Sequence, residues 1–461
     1  MTLLLLALVA VAGCVGLGVF LTFMLTKNCR PAEFWGLNMV LGVAGTSWLS
    51  FVWSLAGGKL NAFFSWSLLL AGLVLGCVSL YRKKQLSTSE LRMETATGLA
   101  RVSQWVAGLL ILSAFIQTVM TPQRFWDERA IFAIKAKVLW SEQSISAPDL
   151  KDPKFVQYHA QYPLLLPLAE RQIYGIMGVV NDRWSKLIFP LLYAGMVLAY
   201  AGVMSRRLGS GWGWLSAVIV ASIPVLMPYE YGFLSGQADA PVACFHGLAA
   251  LYLWDAIQSL DNAEQRRSLI IAGLCAAAVA FTKDEGVAFF LIDALSLLLA
   301  SLLSRFRIPV RELFWLAIAC APFIAIWFWH RKSLPDTTEM RYFDRFSLAL
   351  LLDRIPTLNW SIPHLIDRMF LQWRIWGMQW WLAVIAVVTA PRRAIETAQL
   401  FLVLNLTGAI CALLVAGMVA PAELEEHIGG SSHRYLMQLA PIAILLTMSQ
   451  WRPDPQATAK S

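Results

Sequence analysis

Apolar residues in this chain come in long unbroken runs, such as Ser268–Phe281 and Thr397–Ala420, rather than in the period-two alternation of strands. Stretches of roughly 20 mostly apolar residues suffice to cross a bilayer as a helix. They fall at about 2–26, 35–56, 61–80, 102–120, 184–204, 212–229, 240–257, 267–282, 286–303, 312–330, 375–390, 397–419 and 436–450, about thirteen predicted spans. In lipid only helices and closed barrels satisfy their own backbone, and a barrel needs short alternating segments that are not seen here. The pattern predicts an all-α polytopic membrane protein.

Two apolar stretches break the alternation of spans and connections. Tyr162–Val180 is long enough to cross but contains Pro163, Pro167, Glu170 and Arg171, and counting it as a span would invert every later loop. Phe125–Trp140 mixes Trp126, Ile131, Phe132, Val138 and Leu139 with Glu128, Arg129, Lys135 and Lys137. Both are expected to be amphipathic helices lying flat at the outer membrane interface.

Composition agrees with this picture. Charged residues make up 14% of the chain and hydrophobic ones 58%, against about 25% charged in soluble domains. Lys and Arg gather in alternate short connections (Lys27 and Arg30, Arg82 to Lys84, Arg206 and Arg207, Arg266 and Arg267, Arg305, Arg307 and Arg311, Arg392 and Arg393). These mark the cytoplasmic side, which places the N-terminus and the long loops 121–183 and 331–374 outside and the C-terminal tail inside. The net charge of +8 then reflects topology and attraction to anionic membrane lipid, and nothing points to nucleic acid. The seven cysteines are scattered without metal or redox spacing and read as small packing residues. The first apolar run lacks a basic leader and reads as a retained helix rather than a signal peptide.

Ionisable residues at membrane depth are costly and therefore informative. Four polar clusters interrupt the apolar background: Trp126 to Arg129, Gly236 to Pro241, Thr282 to Gly286 and Ser432 to Tyr435. The predicted topology puts all four at outer helix ends. Each has an ordinary explanation: an acidic first turn, an N-cap with proline just inside, a snorkelling lysine, an interfacial anchor. Together on one face they suggest a site. A carboxylate there can take a proton from an acceptor, and Lys283 and Arg434 can hold a phosphate at the bilayer surface. That set suits transfer of a sugar from a lipid phosphate.

From about Gln123 onwards the order of motifs resembles the membrane-embedded GT-C glycosyltransferases, in particular the branch of aminoarabinose transferases and protein O-mannosyltransferases. The residues that carry the resemblance are Phe125-Trp126-Asp127-Glu128, His159-Ala160-Gln161-Tyr162-Pro163-Leu164, Asn181-Asp182-Arg183, Asp239-Ala240-Pro241, Phe281-Thr282-Lys283-Asp284-Glu285-Gly286 and Arg434-Tyr435-Leu436. The resemblance implies a GT-C-like fold with juxtamembrane helices in the first outer loop, a polyprenyl-phosphate-linked sugar donor and inversion at the anomeric carbon. It implies Asp127 as catalytic base with Glu128 as helper or substitute. It implies Lys283, Arg434 and, less directly, Arg183 as donor-phosphate contacts. Tyr162, His159, Asp239, Glu285, His433 and Tyr435 are expected around the substrates, and Asp127 within about 15 Å of Arg434, the reach required of a base acting on one sugar-phosphate.

The chain departs from the family in having three helices ahead of the one that feeds the acidic loop, so residues 1–101 are expected to be additional transmembrane helices and 102–461 the catalytic body. Ala240 separates Asp239 from Pro241, and the lysine turn carries extra acids. No cofactor and no metal is expected, although divalent metal is optional in the superfamily. The acceptor is a glycan, lipid or protein, and the expected location is a bacterial inner membrane with the site facing the periplasm. A flippase or transporter of lipid-linked saccharide, which favours charge at mid-span, and a polysaccharide ligase or polymerase are the competing readings.

Overall fold

The computed structural model describes residues 2–26, 29–86, 98–227, 230–304, 310–336, 345–420 and 428–452. Lys27, Arg305 and Arg307 lie outside these. Among the described residues the chain is helical, with no strand. Every predicted span contains a helix: α1 (Thr2–Leu25), α2 (Pro31–Leu55), α3 (Ala62–Leu86), α4 (Gly98–Met120), α7 (Ile188–Leu208), α8 (Ser210–Ala221), α9 (Asp239–Gln258), α10 (Asn262–Thr282), α11 (Glu285–Leu303), α12 (Val310–Arg331), α14 (Gln379–Thr389), α15 (Thr397–Val419) and α16 (Gly430–Gln450). Between them lie α5 (Ile134–Ser141) and α6 (Leu165–Met177) in the first long loop and α13 (Leu358–Ile366) in the second.

Nine helices among the described residues are long and apolar enough to cross a membrane, so the chain is a multi-pass membrane protein. The remaining four predicted spans fall short for readable reasons. α8 stops at Ala221 ahead of Pro224, because the ring disfavours helical backbone in the residue before it. α14 starts only after Gly377, which has φ +62°. α10 and α16 carry charged or polar residues in their first turns.

Exposed apolar residues recur at helical spacing on the outer helices. On α4 they are Val102, Trp105, Leu109, Leu112 and Ile116, and on α11 Leu291, Leu295, Leu298 and Leu302. Such stripes would aggregate in water. In hydrocarbon they are the solvated face. By contrast α9 is wholly buried in the centre of the bundle.

The three N-terminal helices are joined intimately to the rest. α2 lies along α7, and the approach is so close that a Cβ on Gly36 would sit 2.3 Å from the backbone nitrogen of Ala199. Small residues at such crossings are how helices pack where no hydrophobic effect drives them together. Farther along α2, Trp48 stacks on Phe281 of α10 at 4.0 Å, and Phe281 meets Trp327 of α12 edge-on at 5.7 Å.

This N-terminal group changes the picture of the first loop. Phe125–Trp140 and Tyr162–Val180 are largely helical as expected, but α6 is buried at every residue rather than spread on the membrane surface. It packs against α1, α2, α3 and α5. Its one polar face, read from sequence as turned to water, instead bonds to protein. Gln172 donates to the Ser65 carbonyl at 2.9 Å, and Ser185 donates to Glu170 at 3.3 Å.

Candidate functional site

α9 carries Asp239 in its first turn and Asp255 near its last, about 24 Å apart at 1.5 Å per residue. The two ends of the bundle thereby acquire separate charge clusters. At the Asp239 end, the loop before α5, the start of α9, the α10–α11 turn and the first turn of α16 converge.

Asp239 is the hub. Its carboxylate is fully buried and accepts from Arg434 Nε and Nη2 at 3.0 and 2.9 Å, from Lys283 Nζ at 2.9 Å and from Gln438 Nε2 at 3.0 Å. Arg434 then reaches outward, pairing with Asp127 Oδ2 at 2.7 Å. Lys283 does the same, pairing with Glu285 at 2.8 Å. Asp127 and Arg434 are each 21% exposed and Glu285 36%. The cluster is therefore a buried carboxylate that fixes two cations, each of which also carries a solvent-reaching carboxylate. Burial works against the Lys283 charge, but Asp239 and Glu285 outweigh it and its pKa is raised. The guanidinium of Arg434 also lies over the Tyr231 ring at 4.6 Å, a cation–π contact.

Local sequence explains the placement. Arg434 and Gln438 are four residues apart and share one face of α16. The break between α10 and α11 leaves Lys283 with extended backbone, φ −155° and ψ 152°, which turns it from the helix axis towards Asp239. Gly236, at φ +73°, brings the segment before α9 against the first loop, where a Cβ would meet Glu128 Oε1 at 2.7 Å.

Of the residues expected at the site, Asp127, Asp239, Lys283, Glu285 and Arg434 come together in this one network. His159 and Tyr162 stack on each other at 4.9 Å, and Lys135 donates to the His159 carbonyl and to the Tyr162 carbonyl, the latter at 3.3 Å. They stand close enough for Asp127 and Arg434 to act on the His159 charge; burial and then Lys135 pull its pKa down to about 4, so the ring is neutral at physiological pH. Tyr435 turns inward against Phe289, ring centres 5.1 Å apart. His433 faces the second long loop, its Nε2 3.1 Å from Arg368 Nη1.

Two residues lie elsewhere. Glu128, expected to help or replace Asp127, has no exposed side-chain surface; it pairs with Lys186 at 2.9 Å and accepts from the Arg124 amide at 2.9 Å. Its pKa is raised by burial against the pull of Lys186. It pins the loop to the start of α7 and does not face the cluster. Arg183 donates through Nε to the Val119 carbonyl at 2.7 Å and lies over the Trp184 ring, so it stands outside the Asp239 network. Sequence reasoning missed Gln438, whose signal was its position one turn after Arg434, and Tyr231 and Lys186, for which proximity in the fold was the only signal. Arg331, at the end of α12, holds Asp284 with two bonds of 2.9 and 3.0 Å. Among the described residues, no three His, Cys, Asp or Glu side chains group so as to hold a metal ion.

No protein-family model and no curated protein matches the sequence. Among solved structures the fold is similar to ArnT from Cupriavidus metallidurans, crystallised in the apo state, with a TM-score of 0.51 and 16% identity. The similarity covers 80% of this chain and 62% of that one. The all-helical polytopic fold expected from the sequence is thus observed, and it is similar to the fold of ArnT.

Proposed function

We propose that this protein is an inverting glycosyltransferase that moves a sugar from a polyprenyl-phosphate donor to an envelope acceptor at the outer face of a bacterial inner membrane. The observation that carries the proposal is the chain of ion pairs from Asp127 through Arg434 and Asp239 to Lys283, which unites a solvent-reaching carboxylate with two fixed cations. The fold shared with ArnT supports it.

In the proposed reaction Asp127 takes the proton of the acceptor hydroxyl or amine as that atom attacks the anomeric carbon. The bond from that carbon to the phosphate oxygen breaks, and the polyprenyl phosphate leaves with the electron pair. Arg434 and Lys283 hold its charge, arginine as a fork and lysine as a point charge. Asp239 touches neither substrate; it is a positioning residue that sets both cations. Because Arg434 also holds Asp127, an incoming donor phosphate competes for the same guanidinium and releases the base. Donor binding thereby arms the acceptor side.

The test is transfer in detergent micelles from a polyprenyl-phosphate sugar, the sugar and acceptor being identified first by mass spectrometry of envelope glycans from a deletion strain. Product that depends on Asp127 supports the reading. A carrier of lipid-linked saccharide draws support from the buried group His246, Asp293 and Asn405, in which Asn405 donates to Asp293 at 2.6 Å at mid-span. Such a carrier makes no product in micelles, where there are no two sides.

A further inference from the structure

Arg171, on α6, is 1% exposed. A guanidinium has five N–H donors. Here Nη1 donates to Ser65 Oγ at 2.7 Å and Nη2 to the Asn61 carbonyl at 3.2 Å, both neutral oxygens, while Nε has no partner. Among the described residues no carboxylate pairs with it; the neighbouring Glu170 points instead to Ser185. Buried charges are otherwise paired, and burial alone pulls this arginine down to about 10.

The guanidinium borders a cavity of about 230 Å³ where the α2–α3 connection meets α5 and α6, lined also by Asn61, Trp140, Ser141, Gln143 and Gly175. A single water needs only about 10–15 Å³ on this measure, so the space suits a polyatomic group. Asn61 Oδ1 is committed to the Phe64 amide, which leaves its side-chain nitrogen as a donor. Gly175 lets α6 come close to the start of α3 beside the guanidinium, since a Cβ there would lie 2.2 Å from Ser65 Oγ and 3.3 Å from Arg171 Nη1.

We infer that this cavity is a second anion site, in which Arg171, assisted by Asn61 and Gln143, binds one phosphate group. The match is chemical: a cation lacking a counter-charge, spare N–H donors in fork geometry, flanking amides and room for a tetrahedral oxyanion. The site shares no lining residue with the Asp239 cluster and does not depend on the function proposed for it. The phosphate could be that of a lipid headgroup or a free ion, since the cavity lies at the end of the bundle.

The test uses the full chain in a maltoside detergent free of phosphate, with inorganic phosphate in one arm and dihexanoyl phosphatidylglycerol in the other, read by melting temperature and by 31P NMR. A saturable rise in melting temperature is expected in at least one arm. A response to phosphatidylglycerol alone identifies a headgroup site, and a response to inorganic phosphate a free-anion site. Arg171→Met should abolish the response, and Gln143→Ala should raise the half-saturating concentration at least fivefold. Absence of a response in both arms, or a response that Arg171→Met leaves intact, overturns the inference. Should Arg171→Met fail to fold, an unchanged half-saturating concentration in Gln143→Ala overturns it equally.

Discussion

The two charge clusters at opposite ends of α9 use the same materials differently. At the Asp255 end, Arg206 is held by Glu33, Asp255 and Glu264 at 3.1, 2.9 and 2.6 Å, and Arg207 by Asp255 and Glu264 at 2.6 and 3.2 Å. Ser268 and Tyr252 close the remaining acceptor positions on Asp255 and Glu33. The arginines there come from one helix end, α7, and their anions from α2, α9 and α10, so the cluster clamps neighbouring helices together. At the Asp239 end, the cations sit on α16 and the α10–α11 turn, and the outer carboxylates Asp127 and Glu285 each pair with one cation, whereas Glu264, also partly exposed, is shared by Arg206 and Arg207. One cluster is saturated and ties helices; the other has open ends that a substrate can displace.

The largest effect expected from that contrast is on turnover. Asp127→Asn should lower the rate of sugar transfer by about 10²–10⁴, the usual contribution of a general base, with little change in melting temperature. Retained turnover would remove Asp127 as the base. Arg206→Met should do the reverse, costing about 3 kcal/mol of stability by stranding buried carboxylates, while turnover per folded molecule stays near the parent value. A fall in that turnover would mean the clamp is not separate from the chemistry.

Lys283→Met should act between these extremes, weakening donor use by about tenfold for one lost charge-assisted contact, seen as a higher donor KM, with Lys283→Arg restoring part of it. A uniform loss of folded protein in both variants would assign Lys283 to the clamp type. The smallest effect on turnover belongs to a carboxyl neutralised by a proton instead of a cation. Burial, with Asp182 and Glu128 nearby, pushes Glu170 up to about 8 from 4.5. Between those values the folded state binds more protons than the unfolded one, so stability falls as pH rises, by at most about 1.4 kcal/mol per pH unit. Glu170→Gln should flatten that part of a stability-against-pH curve, and an unaltered slope would show that another group causes it.

Much of this was legible because lipid imposes strict rules. Apolar runs located the helices, and the expense of burying charge made Asp239, Lys283 and Arg434 stand out before their contacts were known. Asp127 and Glu128 were not separable, since adjacent residues on a helical turn point about 100° apart and sequence does not say which one faces the cluster. Arg183 looked like a site cation for the same reason that Lys186 was overlooked: both lie at the same helix entry, and only the fold assigns Lys186 to Glu128. The burial of α6 was unreadable because an amphipathic pattern records that one face is polar, not whether water or protein meets it. Its cover comes from α1 to α3, which the motif series did not touch.

The partnership of Glu33 and Arg206 also sets a schedule for biogenesis. The two residues are 173 positions apart, and at about 5–20 residues per second of synthesis the second follows the first by roughly 10–35 s. For that interval α2 has neither its charge partner nor the backbone of α7 against which Gly36 fits. Helices α1 to α3 must therefore be held as a provisional group, and the bundle locks only when α7 arrives.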